Sequence, residues 1–179
     1  MKKIIIASLF LIVSCKEAVK NEIKITNPTI NGVVADNSKG APEAKKWLEN
    51  SIVSYFKADI SEHQKIMKDI TTKDYYEFKT DATNVDLDVD GSLTLKEFQE
   101  KWGDKYDANS AGINTGFLIS AQDWIHVEVR KCEVMAALNN VYTFNVVLAD
   151  DGFKANYFRK IKVIKENDRF LIDEVIESN

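Results

Sequence analysis

Apolar residues recur at intervals of three to four through the first half of the chain and at intervals of two through its last third. Ala44, Leu48, Ile52 and Phe56, with Trp47 and Tyr55 widening the stripe, predict an amphipathic helix over residues 43–57, entered through Ala41-Pro42. Ile66, Met67 and Ile70 predict a second helix over 62–70, and Tyr75, Tyr76 and Phe78 a third over 73–80. Thr94, with Glu97 three residues on, has the spacing of a capping box, so a fourth helix starts there and turns Phe98 and Trp102 inward. The period then shortens. Ile125, Val127 and Val129 alternate with His126, Glu128 and Arg130. Tyr142 to Leu148, Tyr157 to Val163 and Phe170 to Val175 alternate in the same way, which is strand periodicity. Asn139-Asn140, Asp150-Asp151-Gly152 and Glu166-Asn167-Asp168 separate these runs with turn-forming residues and join them as antiparallel hairpins. Helices followed by strands give an α+β domain, its helices on one face of an antiparallel sheet.

The N-terminus has a different pattern. Met1-Lys2-Lys3 precedes an apolar run from Ile4 to Val13, too short for a bilayer core that needs roughly twenty such residues. It reads as an export segment removed on maturation. Its end, Ile12-Val13-Ser14-Cys15, resembles the lipobox of bacterial lipoproteins, which implies that Cys15 becomes the first mature residue and carries the lipid. Residues 1–14 are then a signal peptide. Residues 15–40, broken by Asn27-Pro28, Asn31-Gly32 and Asn37-Ser38-Lys39-Gly40, form a flexible tether, and residues 41–179 form the domain. The membrane, reached through the lipid, is the expected partner. Lys16-Glu17 lacks the aspartate that resembles an inner-membrane retention signal, which places the protein at the outer membrane or cell surface.

Composition removes several function classes. A formal net charge of −4 and a pI near 5.3 do not suit a nucleic-acid footprint, which needs a clustered basic face. With Cys15 lipidated, Cys132 is the sole remaining thiol, so no internal disulfide forms; its strand-like flanks make it a structural thiol. Two histidines, His63 and His126, are too few for a His-rich zinc centre.

Gly116 to Trp124 ahead of the first strand, and the closing Arg169-Phe170-Leu171-Ile172-Asp173-Glu174-Val175, resemble the DUF3828-type lipoproteins of the NTF2-like superfamily. The resemblance implies a cystatin-like cone, in which N-terminal helices pack on a strongly curved sheet and enclose room for a small ligand. Lyases, isomerases and inert binding modules share that cone, so the fold does not choose among them. Acid–base chemistry inside it would need a polar residue there, for which Asp123, His126 and Tyr142 are the nearest candidates. His126 shares a strand face with Glu128 and Arg130, which also reads as a solvated charged face.

The sharpest chemical pattern is Asp86-Leu87-Asp88-Val89-Asp90-Gly91-Ser92-Leu93-Thr94-Leu95-Lys96-Glu97, which resembles the twelve-residue calcium loop of an EF-hand. The match implies side-chain ligation by Asp86, Asp88, Asp90 and Glu97, a backbone carbonyl from Ser92, and Thr94 directly or through water. The lead-in, Asp81 to Val85, has poor helix propensity. A metal-free alternative stays open: a β-hairpin about Asp90-Gly91-Ser92 pairing Val89 with Leu93 and Leu87 with Leu95, with the capping box accounting for Thr94 and Glu97. The resulting expectation is a lipid-anchored envelope module without catalysis that binds an unidentified protein or small molecule, its acidic loop holding calcium weakly. The alternatives are a lyase or isomerase working in the cone, and a structural lipoprotein whose loop is the metal-free ribbon.

Overall fold

A computed structural model describes residues 40–121 and 123–178, all within the second of the two units into which the chain divides, residues 33–179. The signal segment, Cys15 and the tether lie outside the described residues. Four helices come first: α1 (Ala41–Lys57), α2 (His63–Ile70), α3 (Lys73–Asn84) and α4 (Leu95–Trp102). Four strands follow, β1 (Val127–Leu138), β2 (Val141–Asp150), β3 (Ala155–Glu166) and β4 (Arg169–Glu177), as an antiparallel meander in the order β1-β2-β3-β4. The fold is therefore α+β. Among the described residues no helix is long and apolar enough to cross a membrane.

The helix stripe read from the sequence is the buried face of α1: Ala44, Leu48 and Ile52 are fully hidden, and Tyr55 and Phe56 nearly so. They meet Tyr142, Phe144, Val146 and Leu148, the inward side chains of β2, in one continuous core with Ile161 and Val163 of β3. Each fully buried aliphatic or aromatic side chain contributes about 2 kcal/mol of apolar transfer. Two of the three hairpin turns are two-residue turns with left-handed backbone at both centres: Asn139 and Asn140 (φ 49° and 64°), and Asn167 and Asp168 (φ 47° and 61°). That geometry follows strand twist and suits Asn and Asp.

Three elements differ from the sequence reading. The third helix runs on to Asn84, because Ala82 and Val85 find core contacts and Asn84 Nδ2 donates to the Thr80 carbonyl at 3.0 Å. Burial outweighs weak local propensity there. The first strand begins at Val127 rather than Ile125, whose side chain is 66 % exposed; here the backbone amides of 125 and 126 turn to Asp150 rather than to a ladder. In β4 the register slips opposite Lys162-Val163, making Asp173 an extra residue, so Ile172 and Val175 both face the core although they lie three apart.

Between α4 and β1 the described residues, 103–121 and 123–126, hold one short helical turn, Ala108–Ser110, yet bury Tyr106, Ala111, Phe117, Leu118 and Ile119. A buried crossing needs partners for its carbonyls. Two cations supply them: Lys79 Nζ donates to the carbonyls of Ala111 and Gly112, both at 2.9 Å, and Arg159 Nε donates to that of Leu118 at 2.8 Å.

Candidate functional site

The acidic loop is the joint between α3 and α4, a helix–loop–helix in which α4 starts at the tenth loop position, Leu95. Thr94 caps α4: its hydroxyl accepts from the Glu97 amide at 3.3 Å while Glu97 Oε2 accepts from the Thr94 amide at 2.9 Å and from its hydroxyl at 2.7 Å. Those two donors hold the Glu97 carboxyl below its usual pKa. Phe98 then drops into the core, 5.4 Å from the Phe78 ring of α3, and Trp102 packs on Phe78 at 5.7 Å. Trp102 Nε1 and Lys101 Nζ both donate to Asp81 Oδ2, at 2.8 and 2.7 Å, so α4 is locked to α3 by a charged as well as an aromatic contact.

Between the helices the backbone makes turns, not a ribbon. Asp86 N donates to Leu93 O at 2.9 Å and Ser92 N to Val89 O at 3.1 Å, but no ladder connects Leu87 with Leu95. The hairpin alternative is therefore corrected. Leu87, Val89 and Leu95 are 42 %, 50 % and 43 % exposed, so the apolar face that would have held such a ribbon has nothing to cover it. Gly91 (φ 80°) and Asp86 (φ 56°) occupy left-handed backbone, which lets the loop double back within a few residues.

The loop supplies hard oxygen donors of the kind calcium takes, on a frame of two helices locked together, and in that respect its residues fit the ion. The carboxylates are not gathered. Asp86 Oδ1 accepts from Leu95 N at 3.3 Å, while Asp88 and Asp90 point to solvent without a protein partner among the described residues. Among those residues no three His, Cys, Asp or Glu side chains converge as an ion would require. Glu97 Oε1 is free, but Oε2 is committed to the cap.

The catalytic candidates do not meet. Asp123 and His126 are exposed, while Tyr142 is 2 % exposed in the core with its ring edge-on to Phe170 at 5.9 Å. His63, unassigned in the sequence reading, is buried between aromatic rings, 4.3 Å from Tyr55 and 5.2 Å from Trp124, with Nε2 3.2 Å from the Ala58 carbonyl. Cys132 is also buried, and burial pushes its thiol up to about 12, far from a nucleophile's range.

Two polar groups escaped the sequence reading. Asp150, fully buried at the end of β2, accepts four backbone N–H bonds, from Ile125 at 2.8 Å, His126 at 3.3 Å, Gly152 at 2.9 Å and Phe153 at 3.3 Å. Desolvation raises its pKa, but the four donors outweigh it and the carboxyl lies below its usual range. Lys79, 3 % exposed, spends its protons on Ala111, Gly112 and Thr115, and burial with Arg159 nearby lowers its ammonium to about 8. Compared with protein-family models, with curated proteins and with solved structures, the chain matches none.

Proposed function

We propose that this protein is a lipid-anchored envelope module with an NTF2-like domain, held to the membrane through Cys15, in which calcium orders the joint between α3 and α4. The single observation supporting the calcium reading is the continuity of α3 to Asn84. It supplies the entering helix that local propensity withheld, so that Asp86 to Glu97 lies in a complete helix–loop–helix with a left-handed glycine at its sixth position. Asp86, Asp88, Asp90 and Glu97 would hold the ion through carboxylates, Ser92 through its carbonyl and Thr94 through its hydroxyl or a water. The bound ion supplies charge neutralisation for a cluster that otherwise repels itself.

Two features set the affinity low. The exposed aspartates must be drawn together, Glu97 must release Thr94, and the cap it loses is worth about 1 kcal/mol. The expected range is that of extracellular modules, with Kd on the order of 0.1–1 mM. An enzyme reading has no comparable support, since Asp123 and His126 are exposed and Tyr142 is closed in the core.

The test is thermal melting of the full chain against calcium. At about ten times Kd, binding adds about 1.4 kcal/mol, or roughly 4 °C for a domain of this size. The shift disappears in an Asp86→Asn/Asp88→Asn variant. No shift at millimolar calcium, or the same shift in that variant, ends the calcium reading.

A further inference from the structure

At the edge of β4 the link between α2 and α3 adds itself to the sheet: Thr71 bridges Ile172 in parallel, and Thr72 N donates to the Ile172 carbonyl at 2.8 Å. Beside that bridge opens a cleft of about 530 Å³, bounded by the last turn of α2, one face of α3 and the start of β4. It is far larger than an inorganic anion needs and falls in the range of small-molecule sites. Charge in the cleft is unevenly answered. Both carboxylates in its lining are paired, Asp69 with Lys65 at 3.1 Å and Glu77 with Lys73 at 3.8 Å. Lys68 and Arg169 are not: among the described residues no carboxylate comes within ion-pair distance of either. Both cations are nonetheless positioned. Lys68 Nζ lies 5.9 Å over the Tyr76 ring, and Arg169 Nη2 donates to the Asp69 carbonyl at 3.2 Å, which leaves most of the guanidinium fork open.

An oxyanion suits that pair, since the fork takes a carboxylate or a phosphate through two parallel bonds. An ammonium would meet no unpaired carboxylate there, and an uncharged ligand would desolvate two cations without return. The apolar part lies next to it, on the outer face of the sheet. Leu171, which lines the cleft, pairs with Ile164, Ile164 with Val141 and Val141 with Leu138, so four aliphatic side chains stand in one row across all four strands. Their chain neighbours Ile172, Val163 and Tyr142 face the core, whereas the row itself lies outside it and ends at Leu138, 60 % exposed. Three strand spacings make the row about 14 Å long, roughly the reach of a chain of ten to twelve carbons. Leu171 therefore joins an anion site to an uncovered aliphatic track.

We propose that this edge of the sheet binds a single-chain anionic amphiphile, its carboxylate or phosphate on Lys68 and Arg169 and its alkyl chain along Leu171, Ile164 and Val141 toward Leu138. A chain laid flat across the strands is the posture of a monomer rather than of a bilayer lipid, whose chains run into the membrane. The site is separate from the α3–α4 joint and from the lipid on Cys15, and it stands or falls independently of both. Methyl NMR on the full chain tests it. Decanoate and decyl phosphate, kept below micelle-forming concentrations, are the probes; decanol, decyltrimethylammonium and inorganic phosphate are the controls. The expected result is a shift of the Leu171, Ile164 and Val141 methyls with a Kd of about 0.1–1 mM, the tighter probe naming the head group. The controls act at least about tenfold more weakly, and a Lys68→Gln/Arg169→Gln variant with an unchanged melting temperature loses about tenfold. Should that variant melt early, because Arg169 ties β4 to α2, Lys68→Gln alone, at an exposed position, loses about threefold. Unmoved methyls with both probes, an equal response to any control, or unweakened binding by a folded variant overturns the assignment. So does a response to phosphatidylglycerol vesicles without one to the monomeric probes.

Discussion

Two turns in this chain are built from the same letters and do opposite things. Asp150-Asp151-Gly152 and Asp88-Val89-Asp90-Gly91 both place aspartates just before a glycine. At the first, the Asp150 carboxylate is closed off from solvent and takes backbone N–H donors from the turn that follows it, Gly152 and Phe153, and from the entry to β1. At the second, Asp88 and Asp90 stay in water and the charges are answered by nothing in the protein among the described residues. A carboxylate with several amide donors needs no counter-ion, whereas clustered carboxylates without donors keep their charge available for a cation. The difference lies in which backbone the fold brings within reach, not in the turn sequences.

The largest effect of a substitution follows from removing the satisfied carboxylate. Asp150→Ala leaves a cavity at a buried position and removes the acceptor of four part-buried amides, at residues 125, 126, 152 and 153, and is expected to cost about 2 kcal/mol of folding stability in urea titrations. The equivalent Asp90→Ala should change stability by less than about 0.5 kcal/mol without calcium. Equal costs at the two positions would erase the contrast. The pH sign also follows. The folded pKa of Asp150 is lowered, so its contribution is complete above the unfolded value near 4 and is lost as pH falls through the lower folded value. Asp150→Asn should therefore flatten the acid limb of the stability curve.

Lys79 is the cationic counterpart of Asp150, and its titration has the opposite consequence. Its ammonium is lowered from 10.5 to about 8, so between those values the unfolded chain binds more protons than the folded one. Stability from this group accordingly rises with pH across that window, by up to about 3 kcal/mol. Burial pushes the Tyr55 phenol up to about 12, which works against the rise above pH 10, where unfolded tyrosines ionise while Tyr55 does not. The clean measurement is thus the difference between the native chain and Lys79→Met from pH 8 to 10. A pH slope that Lys79→Met leaves untouched would show that the ammonium's burial has no thermodynamic consequence.

The residues that carry this contrast also mark where a sequence stops being readable. Helices α1 and α4 announced themselves because their signals are local: Ala44, Leu48 and Ile52 share one stripe, and Thr94 and Glu97 are three residues apart. The turns at Asn139-Asn140 and Asn167-Asp168 were legible for the same reason. Asp150 and Lys79 were not, because the partners that bury them are mostly backbone atoms about as far along the chain as the whole of a helix and its loop: 25 residues for Ile125 and 32 for Ala111, against the two and three residues that separate Asp150 from the local donors Gly152 and Phe153. A backbone partner leaves no residue type to find. The slip at Asp173 is partly visible, since two acidic residues, Asp173 and Glu174, separate Ile172 from Val175, but only the pairing with Lys162 and Val163 fixes where the extra residue lies. The acidic loop stood out in the sequence by its carboxylates, yet the helix that frames it did not, since Ala82 and Val85 are drawn into helix and core by tertiary burial.

The smallest effect is also the sharpest, and it concerns Glu97. Two accounts compete for this side chain: a cap for α4, and the bidentate ligand that closes an ion's coordination. A glutamine serves the cap as well as a glutamate does, because only an acceptor is needed at the Thr94 amide. It cannot replace a carboxylate that gives a divalent cation two charged oxygens. Glu97→Gln should therefore leave the melting temperature within about 1 °C in the absence of calcium, the cap being retained. The same variant should lose the rise seen when calcium is added to the native chain. A variant that melts early without calcium would show the charge itself serving α4, through its attraction to the helix N-terminus. One that keeps the full calcium shift would show that any ion at this joint is held by the aspartates alone, and the likeness to a closed twelve-residue loop would fail at its last position.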